Sequence, residues 1–585
     1  MRSESTGFPL RVWAPVAQRV EGIVGDRRVE LTHIGSGWWQ SSETLPPGTD
    51  YYFSLDGDEP LPSPRSRFQP EGVAGPSRIV DPGSFVWTDA AFRAVPLPDA
   101  LIYEIHVGTF SDAGTFDAAI AHLDHLVSLG VTHVELMPVN EFAGDRGWGY
   151  DGVDLYAPHH AYGGPEGMAR FVDAAHARGL AVILDVVYNH LGPAGNYLSR
   201  FGPYFTDHYV TPWGSAINFD RAGSDEVRRF MIDNALMWLR DYHVDALRTD
   251  AVHAILDMSA VHFLEQLATE VHDLGEALGR NLAVIAESDL NDPRLIRSPA
   301  EGGHGHDAQW SDDFHHALFS ILTGEHNGYY QDFGSLSDLA KTLGQGYRYA
   351  GDYSRFRQRR HGRPAPGLDG RRLLGYLQNH DQVGNRALGE RSSALVSMGR
   401  LKIGAAVVMT APFVPMLFQG EDWAASTPFQ FFTDHRDPEL GAAVSKGRRE
   451  EFADFGWDPE SVPDPQDPET FRRSKLRWDE LDEPDHATML DWYRALIALR
   501  ARYPELRDGR LANVEVRFDE DRHWLAFSRG RVSVAFNVSA QSIVVPVAEG
   551  RIELASEDDV RLHGGELHLP PDSVAIVAEP TAAMA

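Results

Sequence analysis

A short apolar run that ends in polar or charged side chains recurs along this chain, and that recurrence limits the folds open to it more than any other feature. Val244–Asp250 reads V-D-A-L-R-T-D, Leu180–His190 reads L-A-V-I-L-D-V-V-Y-N-H, Leu282–Glu287 reads L-A-V-I-A-E and Leu373–Asp381 reads L-L-G-Y-L-Q-N-H-D. Three of the four close on a carboxylate: Asp250, Glu287 and Asp381. Further strand-like runs lie at Leu101–His106, Thr132–Met137, Ala308–Asp312 and Phe413–Phe418, and segments of helical period separate them. Eight such alternations predict an α/β fold, a (β/α)8 TIM barrel, in which the C-terminal ends of the strands carry the chemistry.

With 585 residues the chain exceeds the ~250 of a bare barrel, so flanking domains are expected. Residues 1–90 alternate in short runs punctuated by Gly, Pro and Asp, which predicts an N-terminal β-sandwich. The barrel is expected over 96–502, with excursions at about 188–223, 314–370 and 419–479 that are too long for plain loops. From 503 to 585 the alternation returns, predicting a C-terminal all-β domain. No glycine-rich dinucleotide or phosphate loop follows a strand. A net charge of −32 argues against nucleic acid or an anionic membrane as partner. The absence of cysteine excludes disulfides, thiolate metal sites and thiol nucleophiles. No signal peptide or membrane span is visible, so a cytoplasmic protein is expected. A monomer is expected as well.

The strand-end residues suit glycosidic hydrolysis, which needs one ionised and one protonated carboxyl group in a single pocket. Arg248 and Asp250 are two apart on a strand and so share a face. The guanidinium favours an ionised Asp250, the expected nucleophile. Glu287 closes an apolar strand, where desolvation would raise its pKa and suit it to general acid work. Asp381 and His380 could grip sugar hydroxyls and stabilise positive charge, His190 offers another hydroxyl contact, and Tyr150 offers a ring for a pyranose. Asp185 reads as a structural carboxylate. No cofactor and no metal is expected. Asn189 reads as a structural hydrogen bonder, and His304, His306, His315 and His316 as polar loop residues rather than zinc ligands. For Trp423, Phe429, Phe431 and Phe432, a sugar platform and the core of an excursion are equally open.

The motifs D-V-V-Y-N-H (Asp185–His190), A-L-R-T-D-A (Ala246–Ala251), A-E (Ala286–Glu287) and N-H-D (Asn379–Asp381) resemble, in order and strand position, the four short motifs of the α-amylase family of glycoside hydrolases. The resemblance implies a retaining double displacement with Asp250 as nucleophile, Glu287 as acid/base and Asp381 as transition-state stabiliser. Tyr150, His190, Arg248 and His380 would line the subsite before the scissile bond. Other segments are similar to those of the trehalose-releasing members of the family: R-V-W-A-P (Arg11–Pro15), which branching and debranching relatives share, and the more specific D-D-F-H-H (Asp312–His316), T-G-E-H-N-G-Y-Y (Thr323–Tyr330) and A-A-S-T-P-F-Q-F-F-T-D-H (Ala424–His435). They imply cleavage of the α-1,4 bond between a malto-oligosyl chain and a terminal trehalose, with malto-oligosyltrehalose and related α-glucans as partners and water as second substrate. Asp312, Glu325, Asn385, Arg386, Asp422 and Trp423, in loops after strands six to eight, are the candidates for recognising trehalose. A glucan branching or debranching enzyme of the same family is the alternative, and a non-catalytic glucan-binding protein a remoter one.

Overall fold

The structure, a computed structural model of the chain, describes residues 7–451 and 461–580. Eight parallel strands close into a barrel in chain order: Ile102–Ile105, His133–Leu136, Ala181–Val186, Ala246–Thr249, Ala283–Ala286, Ala308–Trp310, Leu373–Gly375 and Val414–Phe418. The eighth pairs with the first, Met416 opposite Ile102 and Phe418 opposite Glu104, and this leaves the sheet without an edge. The strands are shorter than the sequence runs because the polar residues that end those runs have already left the ladder. The third strand keeps Asp185 inside it.

The period of two decides what fills the barrel. Ile102, Ile183, Ala246, Ile285, Ala308, Leu374 and Val414 point inward and pack with Trp310, Tyr376 and Met416 as an apolar plug. Two residues further along four of the strands the side chains are Glu104, Asp185, Arg248 and Glu287, so the polar layer sits on top of the plug. Outward residues such as Tyr103, Val134, Leu184 and Leu247 join the larger core beneath the helices. Helix Phe263–Leu278 shows how an element is bounded: His262 accepts the Leu264 N–H at its start, and Gly279, at φ 63°, turns the chain out at its end.

Before the barrel, six antiparallel strands between Phe8 and Arg78 form one connected sheet, docked through Trp13 on Tyr204 and Phe53 on Phe201. Gly202 is required there, since a Cβ on it would lie 2.7 Å from the Trp13 ring. After the barrel, helix Pro484–Arg502 leads into a five-stranded and a three-stranded antiparallel sheet, packed face to face through Trp524, Val545, Leu567 and Val577. The three excursions have structure of their own: a hairpin at Phe205–Ile217; helices Asp312–Thr323 and Leu336–Gln345 with a hairpin at Ala350–Gly362; and helices Pro438–Glu451 and Pro468–Arg473. Among the described residues, no helix is long and apolar enough to cross a membrane.

Candidate active site

Arg248 stands at the centre of the polar layer, fully buried over the Trp310 ring at 4.3 Å. Its Nη1 donates to Asp250 Oδ1 and to Asp185 Oδ2, each at 2.7 Å, and its Nη2 lies 3.8 Å from Glu287 Oε2. One guanidinium thus faces three carboxyl groups. Asp185, from strand three, also accepts the Tyr150 hydroxyl at 2.7 Å. Burial pushes Asp185 up to about 7, against the pull of Arg248.

Immediately after Asp250, Ala251 takes the left-handed conformation at φ 40°, which is uncommon for a residue with a Cβ. The turn aims its N–H at Glu287 Oε2, 2.5 Å away. Asn189 Nδ2 holds Asp250 from the other side, 2.7 Å from Oδ2 and 2.8 Å from the backbone oxygen, while its Oδ1 meets His190 Nδ1. Asn189 is therefore committed to positioning, as the sequence suggested. The Glu287 side chain is 15% exposed and opens to the cleft. Burial, then the charges of Asp250, Asp312 and Asp381, raise its pKa well above the usual carboxylate range, with Arg248 opposing. Asp250 and Glu287 thus share a cation but not an environment, an arrangement that keeps one proton on the glutamic acid.

Asp381, with its side chain 41% exposed, opens the short helix His380–Gly384, and His380 Nε2 is 3.5 Å from its Oδ1. His380 itself is buried and stacks on Tyr150 at 5.3 Å. Tyr150 is presented by a turn at Gly149, φ +102°, where any Cβ would sit 2.2 Å from Pro138 O. Beneath that turn, Trp148, Phe429, Phe432 and Phe418 form a compact apolar cluster with Phe431 packed against it. Phe429 and Phe432 are therefore core under the Tyr150 loop, and Phe431 is partly buried against them.

Of the residues proposed for trehalose recognition, four border the carboxylates or one another. Asp312 accepts the Tyr376 hydroxyl at 2.5 Å and acts electrostatically on Glu287. Asn385 Nδ2 is 3.2 Å from Asp381 Oδ1. Arg386 clamps Glu325 with two bonds of 2.9 Å. The other two belong elsewhere. Asp422 and Trp423 are wholly buried in a 3-10 turn behind strand eight. Asp422 is held by Tyr103 and His125, and Trp423 packs on Trp478 at 4.9 Å. Neither has surface to offer a sugar, because the turn rolls both side chains under the barrel wall rather than toward its mouth.

Sequence reasoning missed two features at the cleft. Trp213, half-exposed at the hairpin tip, stacks on His190 at 4.5 Å. Arg357, reaching in from a second hairpin, pairs with Asp289 at 2.7 Å, two residues past Glu287. Both hairpins lie in excursions, and only the length of those segments signalled that something was there. Among the described residues, one set of potential metal ligands converges: Glu141, His159 and His160, with atoms within 4.8 Å of one another. His160 Nδ1 lies 2.7 Å from Glu141 Oε1. His159 Nδ1 accepts the Ala161 N–H at 3.1 Å, which puts that ring's proton on Nε2, the nitrogen facing Glu141, and leaves no lone pair there. The group is an ion pair bracing a hairpin. His315 and His316 are not loop residues but lie buried in helix Asp312–Thr323, where His315 bonds Leu377 O and Tyr330 and His316 stacks on Tyr329, so the pair does not converge on one ion.

Residues 82–209 match the α-amylase catalytic domain family, and residues 509–576 match a domain of unknown function, DUF3459. Barrel, site and matched domain together define a glycoside hydrolase of the α-amylase type. Over 576 residues the chain is 52% identical to malto-oligosyltrehalose trehalohydrolase of Arthrobacter ramosus, covering 97% of this chain and 99% of that one. It is 50% identical over 557 residues to the enzyme of that name from Mycobacterium tuberculosis, covering 94% and 96%. The crystal structure of a candidate α-amylase from Salmonella typhimurium superposes with a TM-score of 0.90 at 38% identity, over 98% of this chain and 97% of that one. The chain belongs to the malto-oligosyltrehalose trehalohydrolase family.

Proposed function

We propose that this enzyme hydrolyses the α-1,4 bond next to the terminal trehalose of malto-oligosyltrehalose, releasing trehalose by a retaining double displacement. The observation that carries the chemistry is the pair of carboxyl groups on Arg248, with Asp250 bonded to the guanidinium and Glu287 beside it, partly desolvated at the cleft and with a raised pKa. In this reading Asp250 attacks the anomeric carbon and Glu287 gives its proton to the departing glycosidic oxygen. Glu287 then takes a proton from the water that frees the glycosyl-enzyme. Asp381 stabilises the cationic sugar, and Tyr150, His190, Arg248 and His380 line its subsite. The likeness over almost the whole chain to enzymes named for trehalose release supports the choice of bond. Asp312, Glu325, Asn385 and Arg386 are the proposed trehalose-side residues.

The same proposal covers a three-part division near residues 90 and 503, a cytoplasmic location and a monomer. The monomer is checked by a solution mass of 64.9 kDa. The central test compares products from maltopentaose and from the same chain capped with trehalose. Rapid trehalose release from the capped chain, little cutting of the plain one, and loss of both in Asp250→Asn are expected. Equal cutting of the two, or longer branched products, would move the enzyme to the amylases or the branching enzymes.

A further inference from the structure

Glu104, on the first strand, has no role in the chemistry above, yet it is wholly buried against a residue of the proposed site. Its Oε2 accepts the backbone N–H of His380 at 3.0 Å, and its Oε1 makes a shorter contact with His380 Nδ1. A carboxylate only accepts, so Nδ1 carries a hydrogen. On the far side of the ring, Nε2 lies 2.7 Å from the Tyr150 oxygen. Tyr150 has one proton, and Asp185, which also receives Arg248, takes it at 2.7 Å. The phenol oxygen is then left to accept, so Nε2 carries a hydrogen too.

We propose that Glu104 is a positioning residue whose carboxylate fixes the His380 ring with a hydrogen on both nitrogens, so that Nε2–H holds the Tyr150 oxygen beside Asp381. The consequence for turnover rests on the functional reading above, since it takes the pocket beside them to be the sugar subsite. The cation would hold the Tyr150 oxygen, and with it the ring offered to the sugar, by a charge-assisted bond that a neutral ring cannot match. The groups facing His380 are Glu104 from strand one, Glu135 from strand two, Asp185 from strand three, Arg248 from strand four, Asp381 from its own turn, and Tyr150 and His106 from loops. Burial opposes a charged ring, but Glu104 and then Asp381 outweigh it and push His380 up to about 9. Glu135 lies in register with Glu104 on the neighbouring strand. Burial raises its pKa well above the carboxylate range, and Glu104 adds to the rise, so Glu135 favours its neutral form.

The test is nitrogen NMR of the full-length enzyme carrying labelled histidine, with the His380 signals identified by their loss in His380→Gln. Both ring nitrogens should stay protonated from pH 6 through 8 in the wild type and titrate near 9. Glu104→Gln should lower that titration by roughly one to three units. It should also reduce kcat/KM on the trehalose-capped chain roughly ten- to hundredfold, the worth of one hydrogen bond to a charged group, with the deepest loss on the alkaline side. A His380 ring with one bare nitrogen at pH 7, or an unchanged titration in Glu104→Gln, would overturn the proposal. The wild-type reading does not depend on Glu104→Gln, so a folding failure of that variant leaves the decision to the wild-type spectrum. Because the spectrum involves no substrate, a doubly protonated ring in an enzyme that fails to release trehalose would overturn the functional reading alone.

Discussion

Asp250 and Glu287 sit at equivalent ends of neighbouring strands and differ mainly in what surrounds them. Asp250 is held by Arg248 and Asn189, whereas Glu287 receives one short N–H bond and the field of three acids. This asymmetry gives the pH behaviour a sign. A general acid works while protonated, so kcat/KM should fall as pH rises through the raised pKa of Glu287. Asp312, pushed up to about 6 mainly by burial, is charged above that pH and helps keep the Glu287 proton in place. Asp312→Asn should therefore move the alkaline limb of the kcat/KM profile to lower pH, and a limb that stays put or rises would contradict this. Asp250, Glu287 and Asp381 were legible in the sequence because each closes an apolar run. Glu104 was not, since Y-E-I-H looks like an ordinary strand and its partner lies 276 positions away.

At the scale of elements, strand alternation was read well and loop direction poorly. A run of apolar residues determines its own pairing through burial, but nothing local determines which way a 3-10 turn faces. The turn Glu421–Trp423 is set by left-handed residues on both sides, Gly420 and Ala424, and it turns Asp422 and Trp423 inward. Trp423 is thus a packing residue, and Trp423→Ala should cost about 3–5 kcal/mol of stability. Chemical denaturation should record that loss while KM for the trehalose-capped chain is unchanged; a raised KM at unaltered stability would restore it to the cleft. Conversely, Glu325→Ala removes the partner of a two-pronged arginine. It should erode the preference for trehalose-capped over plain chains, measured as the ratio of their kcat/KM values.

Across the whole molecule, the C-terminal sheets grip the barrel by specific polar contacts. Arg529, almost wholly buried, donates from Nη1 to Thr410, Ala411 and Leu506 carbonyls at 2.8 Å each. Glu520 caps helix Leu336–Gln345 through its first two N–H groups. Removing Arg529 takes this donor from the Thr410 and Leu506 carbonyls and leaves Ala411 O with Arg500 alone at 3.3 Å, so Arg529→Ala should destabilise the chain by roughly 2 kcal/mol or more. A single calorimetric transition moved to lower temperature is expected; a new early transition at an unchanged main peak would show the sheets melting alone. Closure of the barrel also has a consequence in time. Tyr103 waits for Asp422, 319 positions later, and strand one waits for strand eight. At roughly 5–20 residues per second of synthesis, the nascent chain carries Glu104 and Glu135 without their final neighbours for about 15 to 60 seconds. Until strand eight emerges the ring cannot close, and a chain that stops short of it is born without a working centre.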